Sequence, residues 1–431
     1  MPKAIVLGGY GLIGSACMRA LARSGFDVIG VGRSRKVAET VDAKARWIIQ
    51  DITTISTLGW HDILTDVDVV VNASGALQDG LVDDLEAIHV TAVSQLAQAA
   101  TNLPVRVIQI SAAGVSEHAS TAFFRSKARG DAALMETMQN WVILHPTLLL
   151  APQAYGGTAL LRAASAIPLI HPIVLPEAQI QTVYIDDVTA AVVSAAQGDI
   201  SSGTIADLTE TEARSLPELI ARIRVWQGWP HPRITIRLPG GCISALGRIA
   251  DGLGHLGWRS PLRTTALQVL SDGVRGDPQT WENAGGQPCR TLEDALQNLP
   301  STRQERLFAR AFLALPVAIG VLALFWLLSG IVALMDPQRA MTVLADRAAP
   351  QWLIATSVIG GATADIFLGL AILYRPWTRH AALGMIALST AYLLGGVILA
   401  PDLWADPLGP MIKVFPGMTL AAMVWLMVED R

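Results

Sequence analysis

The sequence predicts an α/β domain built on a parallel sheet with a small substrate lobe, followed by an all-α bundle of four membrane-crossing helices. Three observations carry that expectation. Short apolar runs alternate with helical patterns over the first third of the chain, as in a parallel sheet covered on both faces. A glycine turn, Gly8-Gly9-Tyr10-Gly11-Leu12-Ile13-Gly14, joins the first run to the first helix. Hydrophobic residues make up 52% of the 431 residues and charged ones only 16%, too apolar for an ordinary soluble protein. The apolar excess lies at the C-terminal end.

Lys3–Leu7 reads as a short buried strand, and the helix that follows the glycine turn runs through Cys17, Leu21 and Ala22. Strand, glycine turn and helix form the layout that seats a dinucleotide pyrophosphate. One glycine permits the tight turn, Gly11 lets the backbone approach the phosphates, and Gly14 lets helix pack on strand. The helix start then offers unpaired N–H groups and a positive dipole to the anion.

Further strands are expected at 26–31, 47–50, 67–71, 106–110 and 141–144, with helices at 85–100 and 126–138. Right-handed crossovers put the loops leaving these strands along one ligand-binding edge. Those loops are Asp51-Ile52, Asn72-Ala73-Ser74-Gly75, Ser111-Ala112-Ala113-Gly114 and Pro146-Thr147.

The second strand ends in Gly32-Arg33-Ser34-Arg35-Lys36. An acid there would bind the ribose 2′-hydroxyl of NAD. None is present, and two guanidiniums and an ammonium suit a 2′-phosphate. The expected cofactor is NADP, with NAD as the alternative.

In order and spacing these pieces resemble the extended and atypical branches of the short-chain dehydrogenase/reductase superfamily, the NAD-dependent epimerase/dehydratase type. The match runs over residues 3–300 and includes Lys127, the His145-Pro146 turn and Val183-Tyr184-Ile185-Asp186-Asp187-Val188. The resemblance implies a Rossmann domain holding NAD or NADP on Gly8, Gly11, Leu12, Ile13, Gly14, Arg33, Ser34, Asp51, Ile52, Asn72, Ala73, Gly75 and Lys127. It implies that Asp51 contacts adenine and that the Asn72 loop passes the adenosine ribose.

The superfamily's catalytic helix carries Tyr-x-x-x-Lys and works with a serine. The lysine charge lowers the phenol pKa, so that the tyrosine passes a proton as hydride moves. Here the window is Phe123-Phe124-Arg125-Ser126-Lys127, with Phe123 in the tyrosine's place. Ser111 and Lys127 remain as catalytic candidates, the proton then coming from water or substrate. Tyr155 is a further candidate for reaching a substrate. Atypical relatives without the tyrosine, such as the nucleotide-binding accessory subunit of respiratory complex I, are understood to hold nucleotide for structure or sensing. A non-catalytic sensor or assembly subunit is therefore the rival expectation.

Residues 151–300 should supply the remaining sheet elements and the substrate lobe. Ser215-Leu216-Pro217-Glu218 marks a helix start, and Asp186-Asp187 a first-turn acidic pair. Arg233–Leu238 alternates like an edge strand. The His residues, including His231 and His255, have no metal-ligand spacing, so no metal is expected. Cys17, Cys242 and Cys289 form no disulfide or metal pattern and fit a reducing compartment. A net charge of −4 without a basic run excludes nucleic acid as the expected partner.

Four apolar stretches, 309–334, 351–374, 381–400 and 411–428, each reach the roughly 20 residues needed to cross hydrocarbon as a helix. Arg303, Arg306 and Arg310 precede the first, Arg375 and Arg379 lie between the second and third, and Arg431 ends the chain. Arg339, Arg347 and Lys413 oppose them. The bias places residues 1–300 and both termini on the cytoplasmic side of an inner membrane. Asp365, inside the second stretch, should face the bundle interior. Ala364-Asp365-Ile366-Phe367-Leu368-Gly369 and Asp406-Pro407-Leu408-Gly409-Pro410 resemble the DoxX-like four-helix membrane family. Some members of that family are linked to quinone-coupled oxidation, which implies a lipophilic substrate or quinone, lipid contact and a membrane partner. The domain expectation is 1–150, 151–300 and 301–431.

Overall fold

The computed structural model describes residues 1–80, 83–258, 260–345 and 350–428. Arg347 and Arg431, used above for orientation, lie outside these. The chain divides into two compact units, Met1–Asp251 with Ser260–Arg306, and Leu307–Arg431 with the short stretch Gly252–Arg259.

Seven parallel strands form the sheet of the first unit. They are β1 (Lys3–Leu7), β2 (Asp27–Gly32), β3 (Arg46–Ile49), β4 (Val69–Asn72), β5 (Arg106–Ile110), β6 (Trp141–Pro146) and β7 (Thr204–Leu208). Their order is β7-β6-β5-β4-β1-β2-β3, so the order reverses between β1 and β4. That reversal opens the crevice where such sheets bind ligands.

Alternate residues of each strand serve opposite faces. Ala4, Val6, Val69, Val71, Ile108 and Leu144 pack with Cys17 and Leu21 of α1 (Leu12–Arg23) and with Val188 and Val192 of a helix over Ile185–Gln197. Ile5, Leu7, Val70, Val107 and Ile143 pack on the other face. Their partners are Val93 and Leu96 of α2 (Ala92–Ala100) and Leu134 of α3 (Ala122–Thr137). With both faces covered, the strands must be apolar throughout, which is why they stand out as continuous runs. The seventh strand escaped the sequence reading. Thr204-Ile205-Ala206-Asp207-Leu208 is an edge strand with polar residues and an exposed Ile205, so it lacks that signature.

The smaller lobe is built from short pairings. Leu148–Leu150 pairs in parallel with Thr182–Tyr184, and Ile170–Ile173 with Ile234–Arg237, the latter being the expected edge strand. Ser215 caps the helix Leu216–Trp226 by accepting from the Glu218 N–H at 3.4 Å. Asp186 and Asp187 lie in the first turn of the Ile185–Gln197 helix and pair with Arg290.

The second unit is helical, as expected. Among the described residues three helices are long and apolar enough to cross a membrane: Arg303–Met335, Gln351–Ala371 and Thr378–Leu399. The fourth stretch, expected over 411–428, forms an apolar helix only over the 14 residues Val414–Met427. At 1.5 Å per residue it rises about 21 Å, short of a hydrocarbon core of roughly 30 Å. Lys413, expected just inside that span, lies at its N-cap. Asp365 is buried as expected and accepts hydrogen bonds from Ser329 Oγ at 2.9 Å and Tyr392 Oη at 3.2 Å. One aspartate thus ties together all three long helices.

Close packing between the first two of these helices depends on Gly330. A Cβ there would sit 2.4 Å from the Ala362 carbonyl oxygen, so any side chain forces the helices apart. Gly330→Val should lower the unfolding temperature of this unit in detergent more than Gly320→Val, because a Cβ at Gly320 meets nothing within 4 Å. Equal effects in a tryptophan-fluorescence melt would contradict this packing.

Candidate functional site

The glycine turn lies at the C-terminal end of β1, the central strand flanking the reversal. Gly8 has a φ of +68°, a conformation that disfavours side chains. A Cβ on Gly14 would approach the Gly8 carbonyl oxygen to 2.2 Å, so α1 can lie this close to β1 only without one. Helix α1 opens at Gly11 with no side-chain cap among the described residues and no acid in its first turn. The leading N–H groups, including those of Leu12 and Ile13, therefore begin a helix that no side chain caps. This observation fits a dinucleotide diphosphate.

The other edge loops gather beside this turn. Asn72 is buried and hydrogen-bonds Gln109, while its Oδ1 accepts from the Ser74 N–H at 3.2 Å. A Cβ on Gly8 would lie 2.9 Å from the Ala73 carbonyl oxygen. Asp51 caps the 3₁₀ turn Ile52–Thr54, and Ser34 caps the helix Arg35–Val41. Ile52 packs against the α2 side of the core. Arg33 is held by Asp83 at 2.8 Å and faces Asp51 at 3.9 Å, and its N–H donates to Tyr10 Oη at 3.1 Å. The sequence reading paired Arg33 with a phosphate; carboxylates that become neighbours only on folding occupy it here.

On the other side of the reversal, Lys127 of α3 is buried and its Nζ donates to the Ile110 carbonyl at 2.9 Å. A Cβ on Gly75 would lie 3.7 Å from that Nζ, so the amine abuts the Asn72–Gly75 loop. Burial holds the amine below its ordinary range, with Asp131 opposing. The Phe123 ring lies 6.0 Å from the amine and meets His89 edge-on, with ring centroids 5.8 Å apart.

His89, Asp131 and Asp207 were missed by the sequence reading, and His145 entered it only through the His145-Pro146 turn. His89 Nε2 accepts from the Ala76 N–H at 3.2 Å, which leaves Nδ1 to donate to Ser126 Oγ at 2.8 Å. Burial, with the Lys127 charge nearby, pushes His89 down to about 3, so the ring is neutral. Ser111 is buried and donates to Asp131 Oδ2. His145 Nε2 lies 3.6 Å from that same carboxylate oxygen, and its Nδ1 lies 3.2 Å from Asp207 Oδ1. Burial disfavours the charged ring, but the two carboxylates outweigh it and raise His145 to about 8. The only sequence signal for Asp131 is its position one helical turn beyond Lys127.

Of the tyrosines of this unit, Tyr10 is bound to Arg33, Tyr184 is buried and Tyr155 is exposed at the start of a helix.

Two family matches divide the chain as the geometry does. Residues 4–204 match the NAD dependent epimerase/dehydratase family, and residues 323–422 match the DoxX-like family. The chain joins an epimerase/dehydratase-like domain to a DoxX-like domain. No curated protein matches the chain in sequence. Solved structures resemble the epimerase-like domain in fold. The Bordetella bronchiseptica enzyme WbmG in complex with NAD is 18% identical with a TM-score of 0.51, over 70% of this chain and 93% of that one. UDP-glucose 4-epimerase of Thermotoga maritima is 15% identical with a TM-score of 0.51, over 68% and 96%. The terminal R domain of the myxalamid PKS-NRPS pathway is 16% identical with a TM-score of 0.53, over 72% and 92%.

The two histidines give this domain opposite pH dependences. His145 binds its proton more tightly when folded. Its contribution, on the order of 2 kcal/mol, is fully present below the ordinary value of 6.5 and is lost as pH rises through about 8. His89 binds its proton less tightly when folded, so its contribution is present above 6.5 and lost as pH falls toward 3. Thermal stability should therefore peak near pH 6.5 and decline on either side of it. His145→Gln should flatten the alkaline limb and His89→Gln the acid limb. A melting temperature that climbs steadily through the alkaline range would contradict the His145 assignment.

Proposed function

We propose that this protein is a membrane-anchored, nicotinamide-nucleotide-dependent oxidoreductase or epimerase acting on a lipophilic substrate. The observation that carries the reading is the side-chain-free start of α1, packed on β1 where the strand order reverses, with Lys127 facing the Asn72–Gly75 loop across that gap. A bound reduced nicotinamide supplies hydride to a carbonyl or quinone acceptor. The first-turn amides at Leu12 and Ile13 and the dipole of α1 hold its diphosphate. Asp51 and Ile52 flank adenine, and the Lys127 amine holds the ribose hydroxyls beside nicotinamide. Ser111 orients the substrate oxygen. The nucleotide is NADP by preference, a reading supported by Arg33, Arg35 and Lys36 following β2 with no acid among them, although a 2′-phosphate must compete with Asp83 and Asp51 for Arg33. NAD is the alternative. The three long apolar helices anchor the domain in an inner membrane, with the arginine-flanked side toward the cytoplasm, and the substrate is lipid-dissolved or supplied by a membrane partner.

Phe123 favours a second reading. Its ring lies against His89 and has no proton to give, as expected of a domain that senses nucleotide without turnover.

Detergent-solubilised protein mixed with NADPH or NADH and membrane lipid extract should oxidise the nucleotide, seen as loss of absorbance of the reduced ring. Binding without oxidation by any extract fraction would favour the sensor. Arg33→Ala should weaken NADPH binding about tenfold, the loss of one charge-assisted hydrogen bond, and leave NADH binding unchanged. Equal weakening of both would refute the 2′-phosphate assignment.

A further inference from the structure

Ser111, His145 and Asp207 stand side by side at the ends of three neighbouring strands. Ile110 pairs with Leu144, so Ser111 is level with His145, and His145 pairs with Asp207. Neighbours in parallel register project to the same face. There the face is covered by α3, which inserts Asp131 between Ser111 and His145. The result is a polar file through otherwise apolar packing, joined by hydrogen bonds except between Asp131 and His145 Nε2. Its outer end opens to solvent. The Asp207 side chain is 23% exposed against 7% for Asp131, and Ile205 on the same strand is exposed. Asp207 is fixed by the Asp277 N–H, which donates to Oδ2 at 2.8 Å.

Two atoms in this file are buried and unpartnered among the described residues, His145 Nε2 and Asp131 Oδ1. Such groups are costly unless used. They belong to neighbouring side chains that lie 3.6 Å apart at Nε2 and Oδ2.

We infer that Ser111, Asp131, His145 and Asp207 form a proton relay that delivers the acid the Phe123 position has lost. The inference rests on the oxidoreductase reading above. As hydride from a reduced nicotinamide adds to a carbonyl carbon, the C=O π bond breaks and its electron pair becomes an alkoxide. The Ser111 hydroxyl gives its proton to that oxygen. Ser111 is reprotonated through the Asp131 carboxyl group by the proton from His145 Nε2, and the neutral imidazole is recharged from water past Asp207. The net change is one imidazolium proton to one alcohol. Ser111 touches the substrate; the other three act through it. The charged groups facing His145 are Asp131 on α3 and Asp207 on β7. Lys127 stands one turn from Asp131, and Asp277 adjoins Asp207. The two facing carboxylates hold the ring in the acid form near neutral pH.

Two measurements on the full chain in detergent test the relay. The first is an NMR titration of ¹³C-labelled histidine, with His145 identified by its loss in His145→Gln. His145 should half-protonate near pH 8 and fall toward the ordinary 6.5 in both Asp131→Asn and Asp207→Asn. An ordinary or lower value in the unaltered protein, or no response to Asp131→Asn, would overturn the relay whether or not nucleotide binds. The second is the pH profile of NADPH oxidation by lipid extract. His145→Gln should slow it about tenfold or more, within the range of general acid catalysis, and remove the alkaline fall while NADPH affinity stays unchanged. A normal rate and profile in His145→Gln would equally overturn the relay. Absence of NADPH and NADH binding, by nucleotide fluorescence, would instead defeat the oxidoreductase reading and the relay's role with it.

Discussion

The close approach of α1 to β1 is the constraint on which this site depends. Gly14 approaches the Gly8 carbonyl to a distance that no Cβ would tolerate. That contact sets the start of α1 directly above the end of the central strand. Parallel register then carries the alignment outward on both sides, through Val6 with Gly30 and with Val71, and on to Val71 with Ile108. The loops after β2, β4 and β5 are delivered to one edge because their strands have no freedom to slip: a one-residue shift would exchange the two buried faces.

Within this frame the proton chemistry has moved. A phenol beside a lysine would place the acid on α3. Phe123 leaves the lysine but removes the acid, and it packs against a histidine kept neutral by burial. A histidine whose proton is held by two carboxylates lies instead across the strand ends, at His145 beside Asp131 and Asp207. That arrangement suits a reaction that excludes water around the reacting carbon while drawing protons from solvent by another route.

Much of the fold was legible because it is written in local pattern. Lys3–Leu7, the glycine turn and Ser215-Leu216-Pro217-Glu218 each carry their own signal, apolar run, small residues or cap. Where a boundary or an element went unread, that signal was weak. The edge strand Thr204–Leu208 alternates polar with apolar, and the fourth apolar stretch gives only a 14-residue helix. Site residues divide in the same way. Lys127 and Ser111 came from the resemblance to the superfamily's serine and Tyr-x-x-x-Lys window. The pairing of Arg33 with Asp83, and the file through Asp131, His145 and Asp207, join residues up to 62 positions apart. Only the sheet order brings them together.

The central claim is that the start of α1 holds the diphosphate of a nicotinamide dinucleotide, and calorimetry tests it most directly. Titrating the intact protein in detergent with NADH, NAD, NADPH and NADP should release or absorb heat that saturates at one site per chain for at least one of them, and Gly14→Val should abolish it. No heat from any of the four, with the unaltered protein folded by its melting transition, would contradict the account.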